Sequence, residues 1–216
     1  MDVSIVLLSL LIGAVVTYFS GDKLASKVAL LFSLGSLVLS LNILYLFTNG
    51  SNVGILHGWI TLPKVSVALY ADGLSLAMVL LTTILTPLII FSSFGTTVTN
   101  AKNFYALVLF MAFAMTGTFL AADGLLYYVF WELALIPIYF ICLLWGGENR
   151  GRITFKFFVY TLFGSLFMLV GLIYLYNHTG FDTGIKSWAV TDLYQAGKSL
   201  TLNQQSFVFW SIFLAF

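Results

Sequence analysis

The chain alternates long apolar runs with short polar breaks. A helix needs roughly 20 consecutive apolar residues to cross the hydrocarbon core of a bilayer. Measured with that ruler, the sequence predicts about six complete spans, near 3–20, 26–48, 73–94, 104–121, 124–145 and 153–177. A last apolar run, 207–216, is about half the required length. It reads as an interrupted helix, so the expectation is the N-terminal portion of a longer protein. Between spans, 49–71 carries Gly50, Gly54, Gly58 and Pro63 and reads as a loop with Trp59 and Tyr70 as interfacial aromatics. The break at 178–206 contains WAVTDLYQAG, an amphipathic stretch that suits a short surface helix.

The first span is not read as a secretory signal. Only Met1 and Asp2 precede it, no basic segment opens it, and its exit, SGDKLASK, offers no small-residue cleavage site. Counting basic residues in alternate loops favours a non-cytoplasmic N-terminus. The inner loops then hold Lys23, Lys27, Lys102, Arg150, Arg152 and, at the membrane edge, Lys156, whereas the outer loops hold Lys64, Lys186 and Lys198.

Composition narrows the field further. Hydrophobic residues form 61% of the chain and charged residues 8%, with a mean hydropathy of +1.04. A soluble domain carries roughly a quarter charged residues, so a soluble enzyme is excluded. With a net charge of +1 and scattered basic residues, no nucleic-acid partner is expected. The fold class is therefore all-α, a polytopic transmembrane helix bundle. One thiol, Cys142, builds neither a disulfide framework nor a metal cluster, and reads as a small buried hydrophobe. His57 and His178 fall in the breaks rather than at membrane depth, which argues against a haem. No cofactor or metal is expected in this chain.

One charge is out of place. The other charged residues fit at loops or span ends: Asp72 and Asp123 each precede an apolar run as helix N-caps, and Lys156, about one turn inside its span, snorkels to the headgroups. Glu132 alone lies deep in the fifth span. An ionised group at that depth costs about 2.5–3.5 kcal/mol on insertion scales. A carboxyl escapes the cost by taking a proton, or by being held ionised by a basic partner or a water-filled cavity. That balance is what a proton-transfer site needs, although a protonated acid that only stitches two helices together would satisfy the same physics.

The surroundings of Glu132 favour chemistry. On a helix Tyr128, Leu135, Ile136 and Tyr139 share its face, and the two phenols suit hydrogen bonds to the carboxyl or an ordered water chain. Pro137 has no N–H, so the carbonyl of Leu133 loses its helical partner and the helix tends to kink. Pro87 does the same for Thr83 in the third span. Gly117 between Thr116 and Thr118, and Gly164 with Ser165 and Gly171, offer small residues for close helix approach. Tyr160, Thr161 and Ser165 add hydroxyls that suit a polar path.

The stretch DGLLYYVFWELALIPIYFICLLWGG, followed by KFFVYTLFGSLFMLVGLIYLY and preceded by YADGLSLAMVLLTTILTPL, resembles the antiporter-like subunits of respiratory complex I. The ELALIPIYF form after FW is most similar to the subunit M, or chain 4, branch. The resemblance runs from about residue 70 to residue 176. It implies a fold of about fourteen helices with two inverted five-helix repeats. Residues 1–103 would then be the first three helices, and 104–216 the first part of a proton-translocating repeat. It implies that Glu132 is the family's key glutamate, paired with a lysine on a seventh helix that starts at about 207 and carries the lysine beyond 216. Lys156 matches the family pattern at the start of the sixth helix, as an anchor first and a proton-path residue second. It implies a membrane subunit of a proton-pumping NADH:quinone oxidoreductase, without redox chemistry of its own. NADH, FMN, iron–sulfur clusters and quinone belong to partner subunits. The other membrane subunits and the lipid bilayer are its partners, in a bacterial inner membrane or an equivalent energy-transducing membrane. Two other readings stand beside this: a subunit of a multisubunit cation/proton antiporter or membrane-bound hydrogenase, and a structural membrane scaffold.

Overall fold

The structure, a computed structural model, describes residues 2–51, 53–60, 65–96, 98–180 and 186–215; of 55–60 and 65–66 it describes the backbone. Among these residues the elements are α1 (Ser4–Phe19), α2 (Asp22–Thr48), β1 (Ile55–Ile60), β2 (Val65–Leu69), α3 (Gly73–Ser92), α4 (Ala101–Leu120), α5 (Gly124–Trp145), α6 (Arg150–Asn177), α7 (Val190–Ser199) and α8 (Leu202–Phe213). A 3-10 turn, Ser93–Gly95, closes α3.

Five of the predicted spans, α2 to α6, are long and apolar enough to cross a bilayer. The first is shorter than expected: α1 has 16 residues, about 24 Å at 1.5 Å per residue. Gly21, at φ 78°, turns the chain out of the helix where other side chains would be strained. α6 begins at Arg150 rather than 153, after Asn149 in the left-handed conformation, so the basic turn is itself helical. Lys156 therefore lies nearly two turns inside α6, deeper than the sequence suggested.

α8 starts at Leu202, ahead of the expected 207, because Thr201 and Gln204 form a capping box. α7 is the predicted amphipathic helix: Leu193 and Ala196 are buried beneath it while Tyr194 and Val190 face out. Asp72 and Asp123 cap α3 and α5 as expected.

The segment read as a loop at 49–71 holds an antiparallel hairpin, pairing Ile55 with Leu69 and Gly58 with Ser66. His57 thus lies in a strand, still outside the helices. Pro63, Lys64, Asp182 and the side chain of Trp59 lie outside the described residues; Tyr70 is exposed.

Backbone hydrogen bonds extend this hairpin into a ladder at one end of the bundle. Leu69 bridges to Ala121 and Asp123 to Ala189. Tyr70 N–H donates to Leu120 O at 2.9 Å, Ala122 N–H to Ala68 O at 2.9 Å and Gly124 N–H to Trp188 O at 2.7 Å. The three connections read from the sequence as outer are so joined. At the opposite end the Lys102 backbone N–H donates to the Asp22 carboxylate at 3.0 Å, and Trp145 Nε1–H to Thr99 O at 2.8 Å. Those contacts gather the three predicted inner loops on one side, as alternating spans require.

Two apolar cores result. The larger joins α1 to α4 and the head of α5 around fully buried Leu10, Ile43, Leu76 and Leu109. The smaller joins the outer part of α6 to α7 and α8 through Leu175, Leu193, Leu200 and Val208.

Candidate proton-transfer site

The Asp123 end of α5 is fixed before any chemistry is considered. Asp123 is fully buried in extended backbone, and its Oδ1 accepts from Leu125 N–H at 3.0 Å and Leu126 N–H at 3.1 Å. These bonds satisfy N–H groups that a helix start leaves free, and its negative charge suits the positive end of the helix dipole. On the α4 side, Gly117 makes the approach possible: the Phe130 ring occupies the space a Cβ would need. Phe130 also meets Phe113 edge-on at 5.6 Å.

Glu132 follows two turns into α5 and is half-buried. Its Oε1 is shielded from solvent and has no hydrogen-bond partner. Of the predicted neighbours on its face, Leu135 is buried and Ile136 is 44% exposed. The Tyr139 ring packs edge-on against Phe158 of α6 at 5.1 Å. Tyr128, half-buried, stands one turn before the acid in α5. Pro137 is buried inside α5, one turn beyond the acid. Lys156 is exposed on α6.

The remaining hydroxyls separate by direction. Tyr160 is 72% exposed and points away from the bundle. Thr161 Oγ1–H donates to Phe157 O of its own helix. Ser165 has no solvent exposure and donates to Leu162 O at 2.8 Å. Gly164 and Gly171 are packing positions, as their size suggested: the Ala215 carbonyl oxygen lies 3.3 Å from where a Cβ would stand on Gly164, and Ser211 Cβ 3.3 Å from where one would stand on Gly171.

Cys142 corrects the sequence reading, because it is exposed rather than buried. Hydropathy marks a residue as compatible with oil but does not tell a packed face from a lipid-facing one.

With this geometry in view, similarity to known proteins becomes interpretable. Residues 121–216 match a family described as NADH:quinone oxidoreductase/Mrp antiporter, TM. The matched segment contains Glu132, Pro137, Lys156 and Ser165. An F(420)H(2) dehydrogenase subunit M from Methanosarcina mazei is 36% identical over 195 residues, covering 88% of this chain and 39% of that protein. An NADH-quinone oxidoreductase subunit M from Rickettsia prowazekii is 33% identical over 198 residues, covering 90% of this chain and 39% of that protein. The chain thus spans about two fifths of the curated relatives it matches.

Among solved structures, respiratory complex I from Thermus thermophilus superposes with a TM-score of 0.84 at 27% identity, covering 99% of this chain and 43% of the matched one. The Mrp complex from Dietzia shares the fold, with a TM-score of 0.81 at 15% identity over 99% of this chain and 23% of that one. The all-α, antiporter-like subunit fold and the resemblance to the subunit M or chain 4 branch both stand. So does an integral, multi-pass membrane protein related to the membrane subunits of oxidoreductase complexes.

Proposed function

We propose that this chain is part of a proton-translocating membrane subunit of an NADH:quinone oxidoreductase, with residues 104–216 forming the first part of its translocating repeat. Glu132 carries the proton. The observation behind this reading is a carboxylate in the middle of a membrane-length helix, with one oxygen shielded from solvent and bonded to nothing. A buried polar atom without a partner is costly. A site that must take up and release a proton keeps that atom available.

In this reading a basic residue of the complete subunit approaches and withdraws from Glu132. A change of tenfold to a hundredfold in the proton affinity of a carboxyl is worth roughly 1.4–2.7 kcal/mol. Moving one charge through 100 mV costs about 2.3 kcal/mol, so the two scales match. The chain's own residues position the acid: Asp123 and the outer ladder hold the helix end, Pro137 leaves the Leu133 carbonyl without its helical donor, and Lys156 anchors α6 at the inner boundary. Electron transfer, with NADH, FMN, iron–sulfur clusters and quinone, takes place in partner subunits. The relatives differ in the electron donor they name, F(420)H(2) in one and NADH in the other, which fits a membrane step independent of the donor.

The test is Glu132→Gln in the intact complex. Proton pumping into membrane vesicles is expected to disappear while the complex still assembles. Pumping at the wild-type level would instead favour the scaffold reading. A complex that co-purifies without an NADH-oxidising arm would favour the multisubunit antiporter or hydrogenase reading.

A further inference from the structure

We propose that the groove between α1, α4 and α5 binds an anionic phospholipid, with one acyl chain lying along it and the headgroup phosphate held by Lys102. The groove has a volume of about 650 Å³. Two small side chains, Ala14 of α1 and Ala106 of α4, are buried in its floor, and Val15, Phe140 and Leu144 form an exposed apolar rim. It runs from Phe110 to Asn103 along α4 and from Leu11 to Phe19 along α1, roughly 10–12 Å at 1.5 Å per residue. The slot is therefore parallel to the helices, which is also the direction of the acyl chains in a bilayer that these helices cross.

Its polar groups gather at one end. The Lys102 ammonium stands over the ring of Tyr18, 5.7 Å from its centroid, a contact that is weak at an exposed site and leaves the charge open to an anion. Among the described residues no carboxylate pairs with this ammonium. The Asp22 carboxylate instead accepts from the Lys102 backbone N–H at 3.0 Å, at the start of α4 where a negative charge suits the helix dipole. Asn103, next in the chain, lines the groove, and its Oδ1 is shielded from solvent without a hydrogen-bond partner.

These features select a lipid over a protein helix. A phosphate answers the ammonium through a charge-assisted contact. A hydroxyl of a glycerol headgroup donates to the Asn103 amide oxygen once that amide turns toward the groove, which relieves a costly unpartnered acceptor. A phospholipid is divided end to end into a polar and an apolar part, as the groove is, whereas the apolar face of a helix offers no anion to its cationic end.

The experiment photolabels the intact complex in phosphatidylcholine vesicles that carry a trace of phosphatidylglycerol with a diazirine in one acyl chain. Peptides covering 11–19 and 103–110 are expected to carry the label. A phosphatidylcholine probe with the same diazirine should label them about fivefold less, and so should the phosphatidylglycerol probe on Lys102→Gln, the factor that one basic residue contributes beside anionic lipid. Val15→Trp fills the groove from its rim and should remove the label, whereas Leu31→Trp, at an exposed position of α2, should leave it. If Val15→Trp does not assemble, the headgroup comparison and Lys102→Gln decide alone. Equal labelling by the two probes, unchanged in Lys102→Gln, means that bulk lipid wets the groove and overturns the proposal. No label on either segment means that protein covers the groove, and overturns it as well.

Discussion

The α1–α4 bundle and the α5–α6 pair are built from similarly apolar helices yet are buried within the chain to different extents, α4 against α5 and α6 most clearly. Half of the apolar window of α4 is buried within the chain, against 11% for α5 and 17% for α6, although the hydropathies of the three windows are 1.6, 1.8 and 2.1. The difference lies in small and hydroxylated residues. Thr17, Ser33, Ser36, Thr83 and Thr116 are fully buried in the first bundle, where their size lets backbones approach. Most return their hydroxyl to a carbonyl of their own helix, as Ser36 does to Ser33 O at 2.8 Å, and Ser40 also meets Thr83 at 2.9 Å. Hydroxyls used this way are finished structure. In α5 the buried polar atom without a hydrogen-bond partner is instead a carboxylate oxygen, Glu132 Oε1.

That contrast can be broken by paired substitutions. The largest effect is expected from Leu109→Ala, which empties a fully buried position in the first bundle and should cost about 2–5 kcal/mol. Phe163→Ala, at a position 62% exposed on α6, should cost under about 0.5 kcal/mol. Equilibrium unfolding in mixed micelles reads both. A cost at Phe163 that rivals Leu109 would show that further protein covers this face of α6 and would map that contact.

Glycine substitutions sharpen the comparison at smaller scale. Gly117→Ala drives a methyl into the Phe130 ring and should destabilise the α4–α5 contact by about 1–3 kcal/mol. Gly35→Ala meets nothing within 4 Å, and should stabilise α2 by roughly 0.4–1 kcal/mol. The same unfolding measurement distinguishes them by sign.

A further, pH-dependent effect concerns the cap of α3. The Ser75 backbone N–H donates to the Asp72 carboxylate at 2.7 Å, and this bond, with the Ser75 hydroxyl, holds the carboxyl below its ordinary range. A carboxyl lowered on folding contributes stability above its unfolded range and loses it as pH falls through the folded one. Asp72→Ala should therefore cost about 1 kcal/mol or less at neutral pH, and the cost should vanish in acid. Unfolding midpoints of the two proteins, compared from neutral pH downward, check this.

Much of the fold was legible because oil and water are sorted so strongly along this chain. The bounds of α5 follow from Asp123 at its start and the glycines after Trp145, and the short helix under WAVTDLYQAG follows from its amphipathic pattern. The hairpin was missed because a ruler about 20 residues long averages over strands of five or six, even though Val65–Leu69 shows a short β-branched pattern. The start of α8 was available in the Thr201–Gln204 spacing, a capping box, but hydropathy alone begins counting later, at Phe207. Glu132 and Tyr128 were readable as neighbours on one helix. The exposure of Cys142 was not readable, because hydropathy does not separate a covered face of α5 from an uncovered one.

The ladder at the outer end has a mechanical consequence. Residues 121–123 are clasped by β2 on one side and by 188–190 on the other, and Glu132 hangs from that clasp on an unbroken stretch of helix that reaches as far as Pro137. The acid is a fixed post. In the proposed cycle the travelling member is then the basic partner that comes to meet it.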